Sequence, residues 1–193
     1  MQAGPRSVPI PTSTPKGLVS YILQILTRGF FESRKGPTGV FDKLTQSYRA
    51  WPRYCDQNLH LNNAHYLTFM DYGRVIWFVR AGIWDRIRSD DYRALVAGLG
   101  ITYRREIRWF STFELETQVV GVKGRWIYLV QEFVQNGKVA ARATLRVGIS
   151  GPDGLVDAQK WLGVEDAVLP EDVGVWALSG DATASVISAG RPS

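Results

Sequence analysis

Cysteine and histidine are nearly absent from this 193-residue chain, which holds one cysteine, Cys55, and two histidines, His60 and His65. A single thiol cannot close an internal disulfide or build a thiolate zinc cage, and two imidazoles argue against a multi-histidine metal site. A Ser-His-Asp triad could run only through one of these two histidines. Long apolar runs are missing too. The run Tyr21-Ile22-Leu23-Gln24-Ile25-Leu26 falls well short of the ~20 apolar residues that span a bilayer. The first seventeen residues have no basic start followed by an apolar stretch, so they do not read as a secretory signal. A nucleic-acid role finds no support, because no basic run is interleaved with aromatics and no reader motif occurs.

What is present is enough to fold. The chain is 45% hydrophobic and 12% aromatic, with 7 Trp, far from the composition of a disordered polymer. Its length suits one domain with appendages. Twenty-three Lys and Arg against 18 Asp and Glu give a formal charge of +5, which favours anionic partners such as a nucleotide-bearing thioester or an acidic membrane. Residues 1–17, crowded with Pro, Ser, Thr and Gly, read as a flexible tail. Residues 18–40 read as an amphipathic segment, whose part over 18–31 suits packing on its own domain or a peripheral membrane contact. Residues 41–178 form the expected domain, and 179–193 a second flexible tail.

Within the domain, a strand over Phe41–Trp51 leads through a loop to Asn62 or Asn63 as a helix N-cap. The helix Ala64–Ala81 closes at Gly82 in the manner of a left-handed cap. Its polar residues His65, Thr68, Asp71 and Arg74 recur every three positions, and apolar residues cover the rest of its circumference. A helix with so narrow a polar stripe must be wrapped on most sides. Four strand patterns then follow a polar turn at Ser89-Asp90-Asp91: Ala94–Ile107, a cleanly alternating run from Phe113 to Lys123, Trp126–Gln135 and Val139–Ser150. The last two meet across Asn136-Gly137, a type I′ hairpin signal. Gly151-Pro152-Asp153-Gly154 ends the sheet, and Leu169-Pro170-Glu171-Asp172 opens a short helix to about Leu178, beyond which the chain is expected to fray. One strand, one nearly all-apolar helix and an antiparallel meander make an α+β layout, a curled sheet wrapped around the helix, which is the hotdog arrangement.

The chemistry concentrates in Asp56-Gln57-Asn58-Leu59-His60-Leu61-Asn62-Asn63, on the loop that enters the apolar helix. Helix N-termini offer unpaired N–H groups and a partial positive charge to a developing oxyanion. A carboxylate just upstream can serve as base or nucleophile, or can simply satisfy backbone donors in the turn. His60 can hold the loop by hydrogen bonds or exchange a proton. Asn62 and Asn63 suit cap and loop positions, and Arg104 or Arg105 can meet a phosphate or stay solvated. A Trp beside Arg125, Trp126, reads as a core or interface residue.

The segment resembles the 4-hydroxybenzoyl-CoA thioesterase-like branch of the hotdog superfamily, whose signature is Asp, two residues, Gly-His-Val-Asn-Asn and then an aromatic. Asp56, His60, Asn62, Asn63 and Tyr66 fall in register with it. The likeness continues through Met70-Asp71-Tyr72-Gly73-Arg74, Tyr103-Arg104-Arg105 and Leu169-Pro170-Glu171-Asp172. It implies an acyl-CoA or acyl-carrier-protein thioesterase with Asp56 activating water or attacking the carbonyl. The N–H of Asn63 would supply part of the oxyanion hole, with Leu59, Asn62, Tyr66, Arg104 and Arg105 near the substrate. It also implies sites shared between protomers of a homodimer, or a dimer of dimers, with Trp77 and Phe78 along the acyl chain. No metal or cofactor is called for, apart from coenzyme A as part of the substrate, and a cytoplasmic location follows. Two departures stand out: Leu59 replaces the glycine before His60, adding a side chain beside the expected thioester and restricting a backbone angle that glycine permits, and Tyr54 replaces a first acid. A hydratase or dehydratase on the same fold is the second reading, although its Asp-to-His spacing is one residue longer and includes a Pro. A noncatalytic scaffold is the third, favoured by Leu59.

Overall fold

The computed structural model describes Thr27 and residues 34–188, with side chains through residue 185. The amphipathic helix expected over 18–31 lies outside these residues, except for Thr27, which is helical. Strand β1 (Leu44–Arg49) precedes helix α1 (Asn63–Arg80) and helix α2 (Ile83–Ser89). Strands β2 (Arg93–Tyr103), β3 (Thr112–Lys123), β4 (Trp126–Gln135), β5 (Lys138–Gly151) and β6 (Gly154–Leu155) follow, then helices α3 (Ala158–Leu162) and α4 (Glu171–Ser188). The sheet runs β1-β3-β4-β5-β2, antiparallel throughout, with β6 folded back on β5. It is the curled sheet of the hotdog fold, with α1 against its inner face.

Local chemistry accounts for these elements. In β3 the inward set Phe113, Leu115, Thr117 and Val119 is buried while alternate residues stay accessible, as a period of two demands. Asn136 and Gly137 take φ of 51° and 70°, the positive pair a type I′ turn needs. The Asn62 side chain accepts a 2.9 Å hydrogen bond from the Ala64 N–H and starts α1. At the other end, Gly82 has φ 68° and donates to the Val79 carbonyl.

Three expectations are corrected. Ile83–Ser89 forms a helix for which the sequence reading had no element; Ile83 and Ile87, one turn apart, bury its inner face. Strand β2 ends at Tyr103 rather than Ile107, because Arg104–Ser111 leave the sheet and cross to β3 beside the loop after β1. The last helix does not end near Leu178 with a frayed continuation but runs to Ser188. It lies on the outer sheet face, where Val173 and Ala177 pack on Tyr128 and Val130, with Trp126 and Trp176 beside them. Arg146, rather than Arg125, stands over the Trp126 ring at 4.9 Å. Arg146 also reaches Asp181 of α4, and Arg142 bridges Glu132 and Asp172 at 2.6 and 2.9 Å.

Between α1 and the inner face the contact is too close for a side chain at Gly73. A Cβ there would meet Leu115 Cδ2 and Thr117 Oγ1 at 2.8 Å. The fully buried Gln131 sits in the same place, donating to the Met70 carbonyl at 3.0 Å and to Thr117 Oγ1 at 2.9 Å. Its oxygen accepts from Arg74 at 3.2 Å, and Arg74 pairs with Asp71 at 2.7 Å. The Gln131 amide and the Arg74 guanidinium thus find partners here, which makes their burial tolerable, whereas the buried Trp77 Nε1 of the same helix has none among the described residues.

Candidate active site

The loop between β1 and α1 is built as a small closed unit. Cys55 and Leu61 form an isolated bridge, the Asp56 N–H donates to the His60 carbonyl at 3.0 Å, and the Leu59 N–H donates to the Asp56 carbonyl at 3.0 Å. The crossing segment after β2 zips onto it: the Leu61 N–H donates to the Ile107 carbonyl at 2.8 Å and the Trp109 N–H to the Leu59 carbonyl at 2.9 Å. Asp56 is therefore held by backbone on two sides.

A cavity of about 280 Å³ opens here, lined by Asp56, His60, Leu61, Asn63, Tyr66, Tyr103, Arg104, Arg105 and Glu106. Six of the eight residues singled out in the sequence converge on it. One carboxylate oxygen of Asp56 accepts from the Asn58 N–H at 2.9 Å, so the turn-stabilising role is real. The other oxygen has no hydrogen bond among the described residues, so this role leaves one oxygen available. At the start of α1, the Ala64 N–H is taken by Asn62 and the His65 N–H bonds the Asn62 carbonyl at 2.9 Å. Among the described residues the Asn63 N–H has no hydrogen bond, and it stands where the helix dipole is positive.

The remaining lining residues divide by what already occupies them. Arg105 donates to the Val139 carbonyl at 2.8 Å, whereas the Arg104 guanidinium has no partner among the described residues. Tyr66 is buried with its ring against Tyr103 and Phe133, and burial pushes its phenol up to about 12. Two participants escaped the sequence reading. Glu106 pairs with His60, Nε2 to Oε2 at 3.0 Å, and the Tyr103 hydroxyl donates to the Asn63 carbonyl at 3.4 Å. Tyr103 had been noted only as part of the Tyr103-Arg104-Arg105 likeness and not as a site residue, and Glu106 had no signal but its place next to Arg105.

Leu59 and Asn62 do not line the cavity. Asn62 is spent on the helix cap. Leu59 was expected beside the thioester and at a backbone angle that glycine permits; it takes φ 62°, with its side chain half exposed and outside the lining of the Asp56 cavity. The angle is imposed because the Leu59 N–H and carbonyl are both committed to backbone partners. Trp77 is fully buried in the core, and Phe78 faces a separate groove of about 330 Å³ with Leu95 and Val96 of β2, so neither reaches the Asp56 cavity. His65 lies on the helix beside the Tyr54 ring, and burial lowers its pKa. Among the described residues, no three of His, Cys, Asp or Glu gather as a metal site requires, and no helix is long and apolar enough to cross a membrane.

Comparison with known proteins agrees with this architecture. The Protein THEM6 of Xenopus laevis is 30% identical over 142 residues, covering 72% of this chain and 69% of that protein. The Drosophila melanogaster Protein THEM6 is 31% identical over 93 residues, 47% of this chain and 48% of its own length. Among solved structures, the DHNA-CoA thioesterase of Staphylococcus aureus superposes with a TM-score of 0.56 at 12% identity, covering 78% of this chain and 97% of its own. The SAV2348 protein of the same organism, solved in complex with CoA, gives 0.56 at 13%, covering 72% and 96%. These likenesses show the fold. Residues 50–154, which include the Asp56 loop, α1, α2 and strands β2 to β5, match the model of the thioesterase-like superfamily, and the chain belongs to that family.

Proposed function

We propose that this protein hydrolyses an acyl thioester of coenzyme A to a carboxylic acid and a free thiol. The observation that carries the reading is the convergence of a half-free Asp56 carboxylate and an unpartnered Asn63 N–H on one cavity. In this scheme the thioester carbonyl oxygen accepts from the Asn63 N–H, where the N-terminus of α1 stabilises the charge that develops on attack. Asp56, oriented by the Asn58 N–H, takes a proton from water as the water oxygen bonds the carbonyl carbon. Collapse of the tetrahedral intermediate breaks the C–S bond, and the proton passes to the departing thiolate. Direct attack by Asp56, followed by hydrolysis of the anhydride, uses the same geometry.

Arg104 is the residue best free to meet a phosphate of the nucleotide. The CoA found with the Staphylococcus aureus neighbour supports coenzyme A over a carrier protein. The site is proposed to complete itself in a dimer. Strand β2 is a sheet edge, Leu95 and Val96 on it are exposed, and the groove beside them runs along Val75 and Phe78 of α1.

The test is thiol release across acyl-CoA chain lengths, with light scattering on the same samples expected to give about twice the 21.6 kDa of one chain. Asp56→Asn should keep that mass and the thermal midpoint while lowering turnover at least ~100-fold, the scale of a positioned acid-base group. Turnover at the parent rate in this variant would end the assignment.

A further inference from the structure

Four large apolar side chains stand exposed in one contiguous patch at the loop end of the domain: Trp51 at 44%, Leu59 at 46%, Trp109 at 42% and Phe110 at 45%. The Phe110 ring lies 6.0 Å from Trp51 and 5.3 Å from Trp109, and the Trp109 N–H is bonded to the Leu59 carbonyl. Leu59 and Phe110 are also held at φ 62° and 57°, a backbone region that costs any residue with a Cβ. Each of these two positions thus bears two penalties, strain and apolar exposure, that a glycine or asparagine would lessen. Strain maintained together with exposure marks a surface used for something other than stability.

Charge surrounds the patch. Arg49 stacks on Trp51 at 5.0 Å and donates to the Phe110 carbonyl, Arg53 lies over Tyr54 at 4.7 Å, and Arg108 precedes Trp109. Among the described residues none of these three makes an ion pair, and neither do Arg104 and Arg105 nearby. The acids of the same loops line the neighbouring cavity, where Asp56 accepts from the Asn58 N–H and Glu106 pairs with His60.

We propose that this face seats on an anionic lipid surface. Trp51, Leu59, Trp109 and Phe110 would enter the headgroup boundary, and Arg49, Arg53 and Arg108 would meet lipid phosphates. Indole and phenyl rings flanked by arginine suit that boundary, where an apolar body is buried and the cation stays solvated. An acidic protein would answer the arginines but leaves two strained apolar tips unexplained. The inference stands apart from hydrolysis, because its test needs no turnover.

The experiment is co-sedimentation of the full chain with vesicles of phosphatidylcholine, with and without phosphatidylserine, over a range of salt. The parent should bind the anionic vesicles and release as salt rises. Trp109→Ser with Phe110→Gly should lower the partition coefficient at least ~10-fold. Arg53→Gln with Arg108→Gln should lower it by roughly 5-fold per arginine on anionic vesicles only, with a shallower salt dependence. Circular dichroism establishes that each variant is folded, and the arginine pair carries the test should the aromatic pair fail to fold. Absence of vesicle binding by the parent overturns the proposal, as does parent-level binding by both folded variants through another segment. Retention on immobilised polyglutamate without vesicle binding also overturns it, in favour of an acidic protein partner.

Discussion

Arg74, Arg142 and Arg146 each reach a carboxylate within or across the helices and sheet, whereas Arg49, Arg53, Arg104, Arg105 and Arg108 at the loop end reach none among the described residues. The same division holds for the apolar residues. In the body, Phe113, Leu115, Phe133 and Leu145 are fully enclosed, while at the loop end Trp51, Leu59, Trp109 and Phe110 stand open. Backbone geometry follows suit, since two of the non-glycine residues at positive φ belong to that open group. In one region most side chains satisfy one another; the other presents charge, aromatic surface and backbone strain together at the surface.

The comparison can be broken most forcefully from the body. Phe133 is fully buried, packed on Tyr66 and Phe113 at ring distances of 4.6 and 5.6 Å. Phe133→Ala should cost about 3–5 kcal/mol in urea unfolding through lost transfer and the cavity left behind. Trp109→Ala in the same assay should change stability by less than ~1 kcal/mol, because an already exposed ring loses little. Equal losses would erase the distinction.

Tyr66 sharpens it at the border between the regions. Its phenol is raised from 10.0 to about 12 by burial, so the folded state holds the proton where the unfolded chain has released it. That contribution is fully present below pH 10 and is lost as pH rises from 10 toward 12. Unfolding free energies at these two pH values should differ by up to about 2 kcal/mol through this group, and Tyr66→Phe should flatten the slope. A slope unchanged in Tyr66→Phe would place the titration elsewhere.

The smallest effect has the opposite sign. Leu59→Gly should stabilise the fold by about 1 kcal/mol, since glycine accepts φ 62° without the Cβ penalty. Acyl chain-length preference should not change, because Leu59 lies outside the cavity lining. A destabilised variant would show that the leucine is packed rather than strained.

Much of this was legible in the sequence where a local rule decides alone. The Asn136-Gly137 turn, the alternation of β3, the Asn62 cap and the placing of Asp56, His60 and Asn63 on one loop rest on spacing or short-range geometry, whereas Tyr66 joined them through the family resemblance. Arg104 and Arg105 could be placed by resemblance, but only the structure shows that Arg105 is occupied by the Val139 carbonyl. The direction of the Leu59 side chain could not be read from the sequence, because it depends on a backbone φ that the loop's hydrogen bonds impose and that residue type argues against. Gln131 and Glu106 were invisible because their partners lie far along the chain or across a crossing whose path the strand pattern had hidden. The length of α4 was missed for a related reason: nothing in its sequence says that a sheet face waits to receive it.

That last helix alters how copies of the molecule can be arranged. With α4 seated on the outer face and clasped through Arg142 and Arg146, a second sheet cannot stack there without first displacing it. Growth by face is closed. Strand β2 still carries a row of backbone donors and acceptors along its free side, so addition edge to edge remains geometrically open. Helix α4 thereby covers the part of the outer face that β4 and β5 form and leaves the backbone edge of β2 unpaired.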